Sequence, residues 1–216
     1  MSNLTLAERL TDTLPESRPG LFNPWRDWCV EDDRSSPDAG PEGRLVRLAA
    51  HLDCEPRYII CGQSPGWRGC RYSGIAFTSE RQLIDGVIPR VAQSESRLTR
   101  GGSLRGPLSE PSATIMWNNL RRLGIASDVV LWNALQLHPH QPSKPWTNRT
   151  PTRSELELGA PALEMLLDAF PDAKVIAIGR KSEELLESLD MLPNGHLRHP
   201  AYGGARQFAD GLRRLL

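Results

Sequence analysis

Three short stretches of this 216-residue chain combine turn-forming residues with side chains that can do chemistry. The first is Gly62-Gln63-Ser64-Pro65-Gly66-Trp67, followed by Gly74-Ile75-Ala76-Phe77-Thr78-Ser79-Glu80. The second is Trp132-Asn133-Ala134-Leu135 with His138 and His140 just beyond, and the third is Arg198-His199-Pro200-Ala201-Tyr202-Gly203-Gly204. Asn133 carries a donor and an acceptor in fixed relative orientation, so it can read a polar edge. Ser64, Gln63 and Glu80 add a hydroxyl, an amide and a carboxylate to the first stretch. Glu80 also reads as a helix-start residue. His138 and His140 have a metal-like spacing, but no Cys or acid cluster accompanies them, so they are read as loop-shaping or phosphate-contacting and no metal is expected. No lysine lies in these stretches to serve as an amine nucleophile, and no GxGxxG or GxxxxGK[ST] loop of a nucleotide-handling enzyme is present.

The elements that must hold these residues are legible from hydrophobic spacing. Tyr58, Ile59, Ile60 and Cys61 form an apolar run ended by Gly62; residues 128–135 and 173–179 are β-branched runs ending at polar or glycine residues, and residues 196–200 form a last short segment. Helical spacing marks residues 4–13, 43–53, 112–124, 153–169, 180–189 and 205–215. This alternation implies a parallel sheet covered by helices. In such sheets the binding crevice opens at the carboxyl ends of the strands, where all three stretches fall. Residues 14–43 are rich in Pro, Gly, Ser and Asp, with Trp25 and Trp28 as anchors, and residues 92–111 read as a flexible insertion over the site. One domain over residues 1–216 is expected, with 1–43 as an N-terminal arm.

Composition narrows the classes. With 39% apolar and 24% charged residues and no membrane-length apolar run, the chain reads as a soluble globular protein. Its start lacks a basic region followed by an apolar core, so a cytoplasmic location with reduced Cys29, Cys54, Cys61 and Cys70 is expected. Basic and acidic residues balance at 26 each, yet they segregate: residues 1–56 carry −5 and 123–195 carry −4, whereas 57–89, 90–122 and 196–216 carry +2, +4 and +3. The basic blocks contain two of the three chemical stretches, as a polyanion-facing side would.

In order and type, these stretches resemble the motifs of the uracil-DNA glycosylase superfamily: a GxxPG-type loop after the first strand, an Asn ending a middle strand and an HPS-type loop near the C-terminus. The resemblance covers roughly residues 57–210 and implies a three-layer α/β/α sandwich around a short, mostly parallel four-stranded sheet. It implies a monofunctional DNA glycosylase that flips a modified pyrimidine out of DNA and hydrolyses its N-glycosidic bond. Phe77 would stack on the base, Asn133 would read its edge, and Gly62 and Gly66 would shape the pocket. His199 would donate to the developing oxyanion, as a neutral imidazole. Pro200, Ala201 and Tyr202 would press into the minor groove. Arg68, Arg71, Arg198, Arg206 and the arginines at 97, 100 and 105 would face phosphates. The partner implied is DNA, bound by a monomer, with no cofactor.

Departures from the family pattern leave alternatives open. Some members place Asp or Asn where this chain has Ser64, so the water-orienting group is unsettled among Ser64, Gln63 and Glu80. The uracil-specific branch has a bulky tyrosine where Gly66 stands, so a wider pocket is expected. The cysteine spacing does not match the iron–sulfur branch, and no cluster is expected. A wider pocket suggests a glycosylase for a bulky hypermodified pyrimidine of phage DNA, in anti-phage defence; the missing carboxylate suggests a non-catalytic binder of modified bases.

Overall fold

The computed structural model describes residues 3–100 and 106–215. Its centre is a four-stranded sheet of β2 (Tyr58–Gly62), β3 (Val129–Asn133), β5 (Lys174–Ile178) and β6 (Gly195–Leu197), all parallel and ordered β3-β2-β5-β6. A second, two-stranded antiparallel sheet pairs β1 (Leu21–Phe22) with β4 (His138–Pro139). Helices α1 (Asn3–Asp12), α2 (Gly40–Leu52), α7 (Ala160–Ala169) and α8 (Arg180–Ser188) cover one face of the main sheet; α4 (Glu80–Ile84), α5 (Pro111–Arg122) and α9 (Ala205–Leu215) cover the other. Two single-turn helices, α3 (Cys70–Ser73) and α6 (Arg153–Leu156), complete the set.

The central strands are apolar at successive positions because both faces are covered. Ile59 and Cys61 point to the side of Leu10, Leu48, Leu163 and Leu186, whereas Tyr58 and Ile60 point to the side of Met116, Trp117, Phe208 and Leu212. The helix–strand alternation implies a covered parallel sheet, and the family resemblance implies these three layers. Among the described residues no helix is long and apolar enough to cross a membrane.

Strand β3 lies at the edge of the sheet, and its outer backbone groups would be an open template unless covered. His51 of α2 accepts from the Leu131 amide at 2.8 Å, and Arg90 donates to the carbonyls of Val129, His51 and Ser127. Full burial drives His51 down to about 3, so the ring is a neutral acceptor. The edge strand that ends in Asn133 is thereby fixed in place.

Two expectations are modified. Residues 153–169 form not one helix but α6, a 3-10 turn over Glu157–Gly159, and then α7 beginning at Ala160. The break brings Gly159 against Ala134: an added Cβ would lie 1.9 Å from the Ala134 carbonyl oxygen, and Pro161 opens the new helix. Residues 14–43 are held by two buried arginines of α2. Arg44 pairs with Asp32 and donates to the carbonyls of Pro24, Asp27 and Tyr72, and Arg47 donates to those of Asp38, Tyr72 and Ser73. Trp25 is buried in the core, whereas Trp28 is 40% exposed, lying over Gly40 and under the Arg34 guanidinium.

Candidate active site

The parallel register pairs Gly62 with Asn133 at the carboxyl ends of β2 and β3, setting the first and second chemical stretches side by side. Gly62 has no Cβ, and one added there would lie 2.5 Å from the Phe77 ring and 3.0 Å from Asn133 Oδ1. The glycine is what lets the aromatic ring and the amide approach the same strand end. His199 completes the cluster, its ring centroid 5.8 Å from that of Phe77 at a tilt of 38°. Phe77, Asn133 and His199 thus meet at one place, although the sequence separates them widely.

Phe77 sits in a strained backbone conformation, with φ of 50°, which a bulky residue adopts only when its surroundings enforce it. The ring belongs to the apolar cluster on the α5 and α9 side of the sheet, and a polar frame holds the backbone on either side of it. Ser73 Oγ donates to the carbonyls of Ile75 and Thr78, and Trp117 Nε1 donates to Thr78 Oγ1 at 3.0 Å. Gln82 closes a capping box with Ser79 at the start of α4 and donates to the Ala113 carbonyl of α5. Asn133 is buried, with its amide nitrogen 3.9 Å from the Cys70 thiol and no donor to its side-chain oxygen among the described residues. The oxygen of the Asn133 edge is therefore left unpaired among the described residues, while its amide nitrogen donates to Cys70 Sγ. Burial, then the charge of nearby Glu110, pushes the Cys70 thiol upward, so it stays protonated.

His199 follows β6 on a turn that only glycine can close: a Cβ on Gly204 would sit 2.1 Å from the His199 carbonyl oxygen. The Ala201 amide donates to His199 Nδ1 at 3.1 Å, which leaves Nε2 as the protonated nitrogen of a neutral ring. Burial, assisted by the Arg198 charge, lowers the imidazole below its ordinary value, favouring the same neutral form. Pro200 is buried, Ala201 half-buried and Tyr202 98% exposed with φ of 52°, a side chain thrust outward at the loop tip.

The first loop is braced from below. Arg71 donates to His138 Nδ1 at 2.7 Å, so His138 Nε2 carries the hydrogen and reaches the Thr147 carbonyl and Asn148 Oδ1; that same oxygen accepts the Trp67 amide at 2.9 Å. Burial, with the Arg71 charge, drives His138 down to about 3. His138 is thus a loop-bracing residue, and His140 packs against it at 5.3 Å between ring centroids. Gln63 and Ser64 are half-buried, and neither side chain has a hydrogen-bond partner among the described residues.

Three sequence expectations are corrected. Glu80 is fully buried and its carboxylate accepts from the amides of Leu98, Thr99 and Leu108 and from Thr99 Oγ1, with Arg97 at 3.7 Å. Those oxygens are occupied, so Glu80 organises the insertion and does not orient a water. Glu80→Ala should lower stability by at least about 2 kcal/mol, since three backbone donors lose an acceptor at about 1–3 kcal/mol each. Urea unfolding would record this, together with faster proteolysis within residues 92–108. Arg71 is also withdrawn from the phosphate-facing set: it is buried, committed to His138 and stacked 4.0 Å above the Phe22 ring. Finally, the space above Gly66 is not open. An added Cβ there would lie 2.1 Å from Glu110 Oε1, so a carboxyl group occupies the volume that suggested a wider pocket.

The remaining basic residues divide. Arg68, over the Trp67 ring, Arg198 and Arg206 are exposed near the first and third stretches. Arg97 and Arg100 are engaged with Glu80 and the Asp32 carbonyl, and Arg105 lies outside the described residues. Residues 92–100 of the insertion are irregular but pinned by the Glu80 network. An open groove of about 870 Å³ at the opposite end of the strands, lined by Arg9 but also by Asp53, Glu55, Glu164 and Asp168, has the wrong balance of charge for a polyanion.

Comparison with known proteins agrees with this fold. The model of the "Uracil DNA glycosylase superfamily" matches residues 50–209. The structure is similar to the crystal structure of Pedobacter heparinus SMUG2, with a TM-score of 0.61 and 16% identity over 100% of this chain and 96% of that one. UNG from Nitratifractor salsuginis aligns over 99% and 96% of the two chains at 18% identity, with a TM-score of only 0.42. The first is a likeness of fold; the second is too distant to argue from. No curated protein matches the sequence.

Proposed function

The chain belongs to the uracil-DNA glycosylase superfamily, and on that premise we propose that it is a monofunctional DNA glycosylase which turns uracil or a related modified pyrimidine out of DNA and hydrolyses its N-glycosidic bond. The observation that carries the proposal is the meeting of Phe77, Asn133 and His199 around Gly62. Each supplies one requirement of the reaction. An extruded base loses a few kcal/mol of stacking, which an aromatic face restores. The edge of Asn133 pairs with the polar edge of the base. Bond cleavage sends negative charge into the departing base, and the Nε2 hydrogen of His199 meets it there.

Around this pocket, Tyr202 and its neighbours Pro200 and Ala201 fill the gap left in the duplex, and Arg68, Arg198 and Arg206 contact phosphates. Pure protein incubated with a uracil-bearing oligonucleotide, then treated with alkali, should yield a strand break at the uracil, and mass spectrometry should identify the free base. Failure to release uracil and every five-modified pyrimidine tried, despite tight and salt-sensitive binding, would make the chain a binder of modified bases instead.

A further inference from the structure

Hydrolysis needs an acceptor for a proton of the attacking water, and the acid nearest in sequence, Glu80, is bound on every side. The structure holds another carboxyl group at the first loop. Glu110, immediately before Pro111 at the start of α5, is half-buried with its side chain folded over that loop. Added Cβ atoms at Gly66 and Gly69 would lie 2.1 and 2.3 Å from its two oxygens, so the two glycines together form its berth. Gly69 also approaches the Thr78 carbonyl, with 3.2 Å from the same hypothetical Cβ, and Thr78 follows Phe77 directly. The carboxyl group is therefore wedged between the loop after β2 and the segment that presents the aromatic ring.

Unlike Glu80, Glu110 has no donor to either oxygen among the described residues, and the N-terminus of α5 does not cap it. A carboxylate placed at a site, half-buried and unbonded, is one whose hydrogen-bonding capacity is left for something absent from the protein. We propose that Glu110 is the catalytic residue that holds the attacking water and takes its proton. This deepens the glycosylase reading and rests on it. In the step, the bond from C1′ to the pyrimidine nitrogen breaks with its electron pair leaving on the base, and the water oxygen bonds to C1′. The displaced water proton passes to the Glu110 carboxylate, and the base anion takes a proton from solvent.

Burial raises Glu110 to about 7, the range suited to a general base near neutral pH. The charged groups on the elements around it have other commitments. Arg68, between the two glycines, is exposed over the Trp67 ring, Cys70 of α3 stays a neutral thiol, Arg71 is bound to His138, Glu80 of α4 holds its own donors, and the arginines of α5 lie at its far end at 121 and 122. Release should therefore rise about tenfold per pH unit below 7 and level off above it.

The test is single-turnover release of uracil by wild type, Glu110→Gln and Gly66→Ala, the last pushing the carboxyl group aside. Glu110→Gln should slow release by about 10²–10⁴-fold and flatten the pH profile, with oligonucleotide Kd changed less than about threefold. Its Tm at pH 8 should equal or exceed that of wild type, because a carboxyl group raised by burial favours its protonated form and weakens the fold as pH climbs from about 4.5 to 7. Gly66→Ala should show a smaller loss of the same kind. A Glu110→Gln rate within threefold of wild type overturns the proposal while leaving the glycosylase reading intact. So does a change only in the relative release of five-substituted bases, or a rate loss that tracks a fall in Tm. Wild type that releases no base at all removes both.

Discussion

Replacing His199 with alanine is expected to slow base release by about 10²–10³-fold, the cost of removing one donor aimed at a developing oxyanion. The structure makes the substitution clean. The ring is half-buried on a turn closed by Gly204, and its one hydrogen bond among the described residues is the 3.1 Å contact from the Ala201 amide. Losing that contact frees a backbone donor at a solvent-facing loop, so the fold should tolerate the change and DNA affinity should shift little. Single-turnover kinetics on a uracil oligonucleotide, beside a binding titration, separate the two effects. Because burial and the Arg198 charge lower the ring's pKa and favour its neutral form, the residual pH dependence of the variant should match that of wild type at and above neutral pH. An unaffected rate would remove His199 from the chemistry.

Asp32→Ala should cost about 3–5 kcal/mol of stability, because it strands the Arg44 guanidinium without its counter-charge in a fully buried position. Asp32 also accepts from the Cys29 amide at 2.7 Å, and Arg44 gathers carbonyls from Pro24, Asp27 and Tyr72, so both the 14–43 segment and the end of α3 depend on the pair. Urea unfolding at pH 7 measures the loss. The double variant Asp32→Ala with Arg44→Met should recover part of it, since an apolar side chain no longer requires a charge beside it. If the double variant were no better than the single one, the lost carbonyl bonds, and not the orphaned charge, would dominate.

The sheet was legible because β2, β3 and β5 are buried on both faces, and such strands write themselves as unbroken apolar runs. Asn133, which ends β3, and His199, which follows β6, stood out at strand ends, where parallel sheets open, whereas the roles of Phe77 and His199 came from the family resemblance. What escaped depends on partners distant in sequence. Glu80 resembles a helix-start acid until Leu98, Thr99 and Leu108 close around it. Arg71, beside a basic loop, looks like a solvated arginine until His138 arrives from β4. The two-residue pairing of β1 with β4 is too short for any periodicity to reveal. Glu110 had a faint signal: two glycines in one loop, at 66 and 69, leaving a place for a side chain supplied from elsewhere, and an acid set directly ahead of a proline that starts a helix.

Phe77 holds its ring over Gly62 from a left-handed backbone conformation that costs of order 1–3 kcal/mol. That cost is borne by the rigid scaffold of Ser73, Trp117 and Gln82, and it sets a tension within the molecule. Glycine there would relax the chain but empty a core position, at about 3–5 kcal/mol for the lost ring, so the packing that makes phenylalanine a platform also outweighs the strain of presenting it.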